Sequence, residues 1–199
     1  MIAAIVLAAG KSERMGRPKM LLPFGRGTLL DTVLAGVGRS RVDDVIVVLG
    51  AHRDAIEPVV SKHSARSVFN EGYEAGMLSS VLRGLQAVPA DARAFLVVPG
   101  DHPAPSPDVI DRLIARHDAT GKGIVLPVHR GRRGHPLLID ARYRDEVSRL
   151  DPAIGLRQLA RDHPDDVLEV PVRSPAVLRD VDRPEDYRRA LPSRRRSRG

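Results

Sequence analysis

An α/β fold, with a mostly parallel sheet covered by helices on both faces, is predicted by three observations. Short uninterrupted apolar runs recur along the 199-residue chain, segments with helical apolar spacing separate them, and glycine-rich or charged clusters follow the runs. The alternation of strand and helix places crossover helices on the two faces of one three-layer α/β/α unit.

Residues 2–7 are apolar throughout and end in Ala8-Ala9-Gly10, the pattern of a strand buried on both faces that feeds a loop. Runs of the same kind lie at residues 45–49, 66–69, 95–98 and 124–128. Between them, residues 28–37 put Leu29, Leu30, Val33, Leu34 and Val37 on one helical face, and helices are expected over 55–62, 76–88 and 107–117. After Pro127 the rhythm changes. A glycine-and-arginine turn at 130–134 joins the apolar runs 126–128 and 137–139, which predicts a small β-hairpin excursion. Helices at 141–150 and 156–161, strands at 167–170 and 177–181, and a closing helix from Pro184 complete the order. No repeat and no long linker divides the chain, so residues 1–190 are read as one domain and residues 191–199 as a basic tail.

Composition narrows the function. The chain has no cysteine, which removes disulfides, zinc–thiolate sites and cysteine nucleophiles and leaves any metal to carboxylates, amides or histidines. No apolar run approaches the roughly 20 residues of a membrane helix, and the N-terminal run is too short for a secretory signal, so a soluble cytoplasmic protein without membrane association is expected. The net charge is +7, but Arg188, Arg189, Arg194, Arg195, Arg196 and Arg198 account for six of those charges. A run after Pro192 reads as a solvated tail, and 3% aromatic content argues against a base-stacking nucleic-acid surface.

In an open α/β sheet the ligand binds outside the carboxyl ends of the strands, where the polar clusters of this chain lie. After the first strand, Leu7, Ala8, Ala9, Gly10, Ser12, Arg14 and Lys19 belong to a loop with two glycines, a hydroxyl and four cations. Glycine lets backbone N–H groups turn toward phosphate oxygens, and Arg14 and Lys19 can neutralise a triphosphate. It is not a P-loop, because Ile5 stands where the first glycine is needed, and it lacks the dinucleotide-binding G-x-G-x-x-G. Asn70 precedes a helix start carrying Gly76, Ser79 and Ser80, which offer donors to a phosphate or base and equally fit helix capping. Asp101 ends a central apolar strand, where a metal such as Mg²⁺ would satisfy its charge. Alternation on a strand sends Asp180 and Asp182 to one side. Arg132 and Arg133 can receive an anion, and His135, before a proline, reads as a structural hydrogen-bonding group with proton transfer as the alternative.

Leu-Ala-Ala-Gly-x-Ser-x-Arg-Met-Gly-x-Pro-Lys, followed by Leu21-Leu22-Pro23, resembles the signature of the molybdenum cofactor cytidylyltransferases and their guanylyltransferase relatives. The similarity runs from Ile2 to Tyr187 and implies a Rossmann-like nucleotidyltransferase sheet. It implies that residues 7–10, Ser12, Arg14, Lys19, Asn70, Gly76, Ser79 and Ser80 bind the nucleotide, and that Asp101 and Asp182 hold Mg²⁺ with Asp180 nearby. Arg14, Lys19 and Asp101 are then the catalytic groups, and Arg132, Arg133 and His135 lie on the acceptor side. The implied reaction transfers CMP from CTP, or a nucleotide from another NTP, to molybdopterin or another phosphorylated acceptor, with a molybdoenzyme as candidate recipient of the product. Ala9, where the guanylyltransferases carry glycine, favours cytosine. Leu150-Asp151-Pro152-Ala153-Ile154-Gly155-Leu156-Arg157 departs from the family's Gly-Asp-x-Gly-Ala-Arg on the acceptor side. Alternatives are a guanylyl- or other nucleotidyltransferase acting on a sugar or polyol phosphate, an NADPH-dependent oxidoreductase with Arg53 reading a 2′-phosphate, and a non-catalytic molybdenum cofactor carrier. Intact Lys19, Asp101 and Asp182 argue against the carrier.

Overall fold

The computed structural model describes residues 1–103 and 106–191, so residues 192–199 of the expected basic tail lie outside the described residues. The elements in chain order are β1 (Ile2–Ala8), β2 (Pro23–Phe24), β3 (Gly27–Thr28), α1 (Leu29–Gly38), β4 (Asp44–Leu49), α2 (Arg53–Val60), β5 (Arg66–Phe69), α3 (Met77–Ala87), β6 (Ala94–Pro99) and α4 (Pro107–Thr120). There follow β7 (Ile124–His129), β8 (Arg132–Arg133), β9 (Leu137–Asp140), α5 (Arg144–Val147), α6 (Leu156–Asp162), β10 (Val167–Pro171) and α7 (Pro184–Ala190).

The main sheet runs β10-β7-β9-β6-β1-β4-β5, with β8 on β7. β1 is parallel to β4 on one side and to β6 on the other, so the chain switches direction across it and opens a crevice at its carboxyl end. The period-2 alternation of β1 feeds two apolar layers. Ile2, Ala4, Val6 and Ala8 pack with Leu30, Val33, Ile56 and Leu113 of α1, α2 and α4, whereas Ala3 and Ile5 pack with Val81 and Leu85 of α3 and with Val147 and Leu159 of α5 and α6. Helix α1 starts where Thr28 Oγ1 accepts the Asp31 N–H (3.1 Å) and Asp31 Oδ2 accepts the Thr28 N–H (2.8 Å), a reciprocal cap.

Three expectations change. The hairpin is built into the sheet: the end of β7 pairs with β8, whereas β9 inserts antiparallel between β6 and β7. Residues 177–181 are not a strand. Pro175–Leu178 forms a 3-10 turn, and the segment's backbone groups go singly to different loops, Val177 accepting from the His135 N–H (2.9 Å) and Val181 donating to the Asp101 carbonyl (3.1 Å). With no neighbouring strand there is no ladder, and the alternation argument for Asp180 and Asp182 lapses. The helix expected at 141–150 is shorter: a 3-10 turn, Ala141–Tyr143, precedes the single turn of α5.

Candidate active site

β1 delivers the chain to a loop folded back on itself. Ser12 adopts the left-handed region (φ 57), Glu13–Met15 makes one 3-10 turn, Gly16 (φ 65) reverses it, and the Lys19 N–H donates to Ser12 Oγ at 3.1 Å. Residue 16 sits in a conformation that glycine adopts without steric penalty. Ser12 therefore shapes the loop through its side chain while Gly10 remains exposed at its rim.

Three segments distant in sequence then meet. Lys19 Nζ lies 2.5 Å from Asp101 Oδ2 and 3.0 Å from Asp182 Oδ1, and Arg14 Nη1 lies 2.9 Å from Asp182 Oδ2. The Lys19 side chain is only 12% exposed. Burial works against its charge, but Asp101 and Asp182 outweigh burial and hold its pKa above the usual lysine value. Burial likewise opposes ionisation of Asp182, and Lys19 with Arg14 overcomes it, leaving the carboxyl below its usual range. Asp101 is placed by the Gly100 N–H, which donates to the Leu7 carbonyl at 2.9 Å. A Cβ on Gly100 would come within 2.6 Å of that same oxygen, so only glycine allows the two strand ends to approach. A cleft of about 390 Å³ opens beside this cluster, lined by Gly10, Ser12, Arg14, Lys19, Tyr73 and Asp182, with Lys11 and Glu74 across it.

The Asn70 group is organised differently from the first loop. Asn70 is buried, its Nδ2 donates to Ser79 and Ser80 Oγ (3.0 Å each), and its Oδ1 accepts the Gly72 N–H (3.1 Å). These side chains satisfy one another and fix the turn into α3. Gly76 (φ 99) supplies no capping side chain, so the first N–H groups of α3 are left for another acceptor. Ala9 is 5% exposed, and a Cβ on Gly50 would lie 2.8 Å from its methyl. That methyl therefore sets the spacing of the β1 and β4 ends and does not line the open cleft.

On the β6–β7 side, His102 and His135 pack edge to face, with ring centroids 5.1 Å apart. Burial, reinforced by His102, pushes the His135 pKa down to about 4, and its Nδ1 is buried with no hydrogen-bond partner among the described residues. Burial also lowers the pKa of His102, against the pull of Asp101 and Asp180. Asp180 is exposed and makes no ion pair among the described residues. Arg133 is drawn to Glu169 of β10 (2.8 Å), whereas the exposed Arg132 makes no ion pair among the described residues. Sequence reasoning missed Glu74, Tyr73 and His102. For Glu74 no local signal exists, whereas the position of His102 directly after Asp101 was a usable one.

Asp101 and Asp182 both reach the point that Lys19 Nζ occupies, which is the donor set a hard dication needs when substrate phosphates and water complete its shell. Among the described residues no group of three or more His, Asp or Glu side chains is placed to hold a metal ion.

Residues 4–167 match the MobA-like NTP transferase domain. The chain belongs to that family. A molybdenum cofactor cytidylyltransferase of Escherichia coli K12 is 30% identical over 94% of this chain and 93% of its own. A nicotine blue oxidoreductase of Paenarthrobacter nicotinovorans is 31% identical, with 96% of both chains covered. A Mycobacterium tuberculosis protein solved as a complex with manganese superposes with a TM-score of 0.82 at 29% identity, covering 96% of this chain and 98% of that one. Among MobA-like transferases, then, this chain is a nucleotidyltransferase with a mixed, mostly parallel sheet covered on both sides.

Proposed function

We propose that this transferase moves CMP from CTP to molybdopterin or molybdenum cofactor and releases pyrophosphate. The observation that carries the proposal is Lys19 held between Asp101 and Asp182 at the mouth of a cationic loop. The acceptor phosphate oxygen attacks the α-phosphorus in line, a new P–O bond forms, and the bond to pyrophosphate breaks. Such chemistry needs positioning and charge neutralisation more than a covalent nucleophile. Lys19 and Arg14, released from the carboxylates, neutralise charge on the departing pyrophosphate. Asp101 and Asp182 would hold Mg²⁺, which when bound supplies Lewis-acid stabilisation of phosphate charge. The open N-terminus of α3 and the loop N–H groups orient the nucleotide, and Arg132 faces the anionic acceptor. Identity to the Escherichia coli cytidylyltransferase supports CTP over GTP, whereas the buried Ala9 methyl does not line the open cleft and so does not bear on the base.

Pyrophosphate release from CTP and from GTP, with Mg²⁺ and molybdenum cofactor present, tests the reading beside an Asp101→Ala control. Release with CTP alone, lost in the control, supports it. Release with GTP, or only with a sugar or polyol phosphate as acceptor, replaces the base or the acceptor.

Similarity to the nicotine blue oxidoreductase favours a second reading, nicotinamide-dependent reduction. Arg53, the residue that would meet a 2′-phosphate, lies with its guanidinium 5.0 Å from the Phe69 ring centroid at the edge of the sheet. Failure of NADPH to bind removes this reading.

A further inference from the structure

Lys11 and Glu74 are used by none of the chemistry above, yet they face each other across the phosphate cleft. Lys11 leaves β1 two residues after Ala9, and Glu74 sits in the 3-10 turn Tyr73–Ala75, between Gly72 and Gly76. Their side chains meet at 2.6 Å, and both line the cleft with Gly10, Ser12, Arg14 and Lys19. Each of the three ion-paired loop cations meets a carboxylate: Asp182 for Arg14, Asp101 and Asp182 for Lys19, and Glu74 at 2.6 Å for Lys11, with Glu13 more loosely at 3.9 Å. The carboxylates differ in what becomes of them. Asp101 and Asp182 converge on one point and can share another cation, whereas Glu74 has no second partner among the described residues.

We propose that Glu74 is an internal stand-in for a substrate phosphate. It holds Lys11 across the cleft in the free protein, and an entering nucleoside triphosphate exchanges that carboxylate for a phosphate oxygen. Lys11 is accordingly a further phosphate-binding residue, and Glu74 sets how tightly the nucleotide is held. The proposal rests on the nucleotidyl-transfer reading. A carboxylate left beside an arriving phosphate repels it, so Glu74 weakens binding unless it turns out to solvent. It has room to do so, because the Lys11 and Glu74 side chains are 44% and 64% exposed. Exposed pairs are weak, which makes the effect modest and the exchange easy.

The test is equilibrium binding of CTP to the full chain in wild type, Glu74→Gln, Lys11→Ala and the double variant. Asp44→Asn, at the opposite end of β4, serves as a control for net charge. Glu74→Gln is expected to lower Kd about two- to five-fold, Lys11→Ala to raise it, and Glu74→Gln to give no gain once Lys11 is absent. An unchanged or higher Kd in Glu74→Gln overturns the proposal, as does an equal gain without Lys11 or in Asp44→Asn. Wild-type protein that binds neither CTP nor GTP overturns the transfer reading, and this proposal with it.

Discussion

The two halves of the sheet meet at β1 and are built differently. On one side β1, β4 and β5 run parallel, and the site residues come from the loop directly after β1 and from the turn into α3. On the other side β9 runs antiparallel between β6 and β7, and Asp101, His135 and Asp182 are brought together by single backbone contacts among three loops. The first half is a local device, folded by its own glycines, serine and cap. The second is an assembly, correct only when distant segments dock. Nucleotide-side function should therefore respond to individual charges, and acceptor-side function to packing.

The largest expected effect tests where the halves join. Lys19→Ala removes the cation shared by Asp101 and Asp182, and turnover in the pyrophosphate assay should fall about 10²-fold or more. A variant at full rate would show that the junction is structural only.

Acid stability should report on the assembled half. His135 titrates at about 4 in the fold against an ordinary 6.5, so the unfolded chain takes up a proton that the folded one refuses as pH falls through that window. Stability is thus fully present above pH 6.5 and is lost progressively toward pH 4, by up to about 3 kcal/mol. Thermal unfolding of His135→Gln between pH 7 and 4 should show a flatter decline than wild type; parallel curves would assign the acid loss elsewhere.

Glycine substitutions compare the halves directly. A Cβ at Gly50 would lie 2.4 Å from the Ala9 carbonyl oxygen, and one at Gly134 would lie 2.4 Å from that of Val177. Each alanine variant should lose about 1–3 kcal/mol in urea unfolding. Gly50→Ala should chiefly raise the Kd for CTP, and Gly134→Ala should chiefly raise the acceptor KM. If both variants change the same constant, the two sides of the cleft are not separable.

The smallest effect concerns the arginines proposed to face the acceptor. Arg132→Ala should raise the acceptor KM about two- to five-fold, and Arg133→Ala less, because Glu169 already engages Arg133. The reverse order would mean that the ion pair opens when the acceptor binds.

Legibility followed the same division. Lys19 and Asp101 were named from the sequence because one closes a glycine-rich cationic loop and the other ends an apolar run, whereas Asp182 was named through the family resemblance; the pairs they form span 82 and 163 residues. The parallel character of β1, β4 and β6 was equally readable from their unbroken apolar runs. Residues 177–181 misled because an apolar segment with alternating character reads as a strand whether or not another strand lies beside it. Donor chemistry offered Asn70, Ser79 and Ser80 both to a nucleotide and to helix capping, and in the fold the Asn70 amide meets Ser79, Ser80 and Gly72. Donor chemistry alone cannot tell capping from binding.

Apolar periodicity and the motif after β1 were enough to set the layers, the central strand and the cationic loop, because burial and turn geometry are local consequences of residue type. Strand order and loop docking chose which carboxylate each cation meets, which arginine stays unpaired and how the two imidazoles pack. Those outcomes depend on distances of a few ångströms between segments far apart in the chain, and charge pairing, unlike burial, has no period from which a partner can be read.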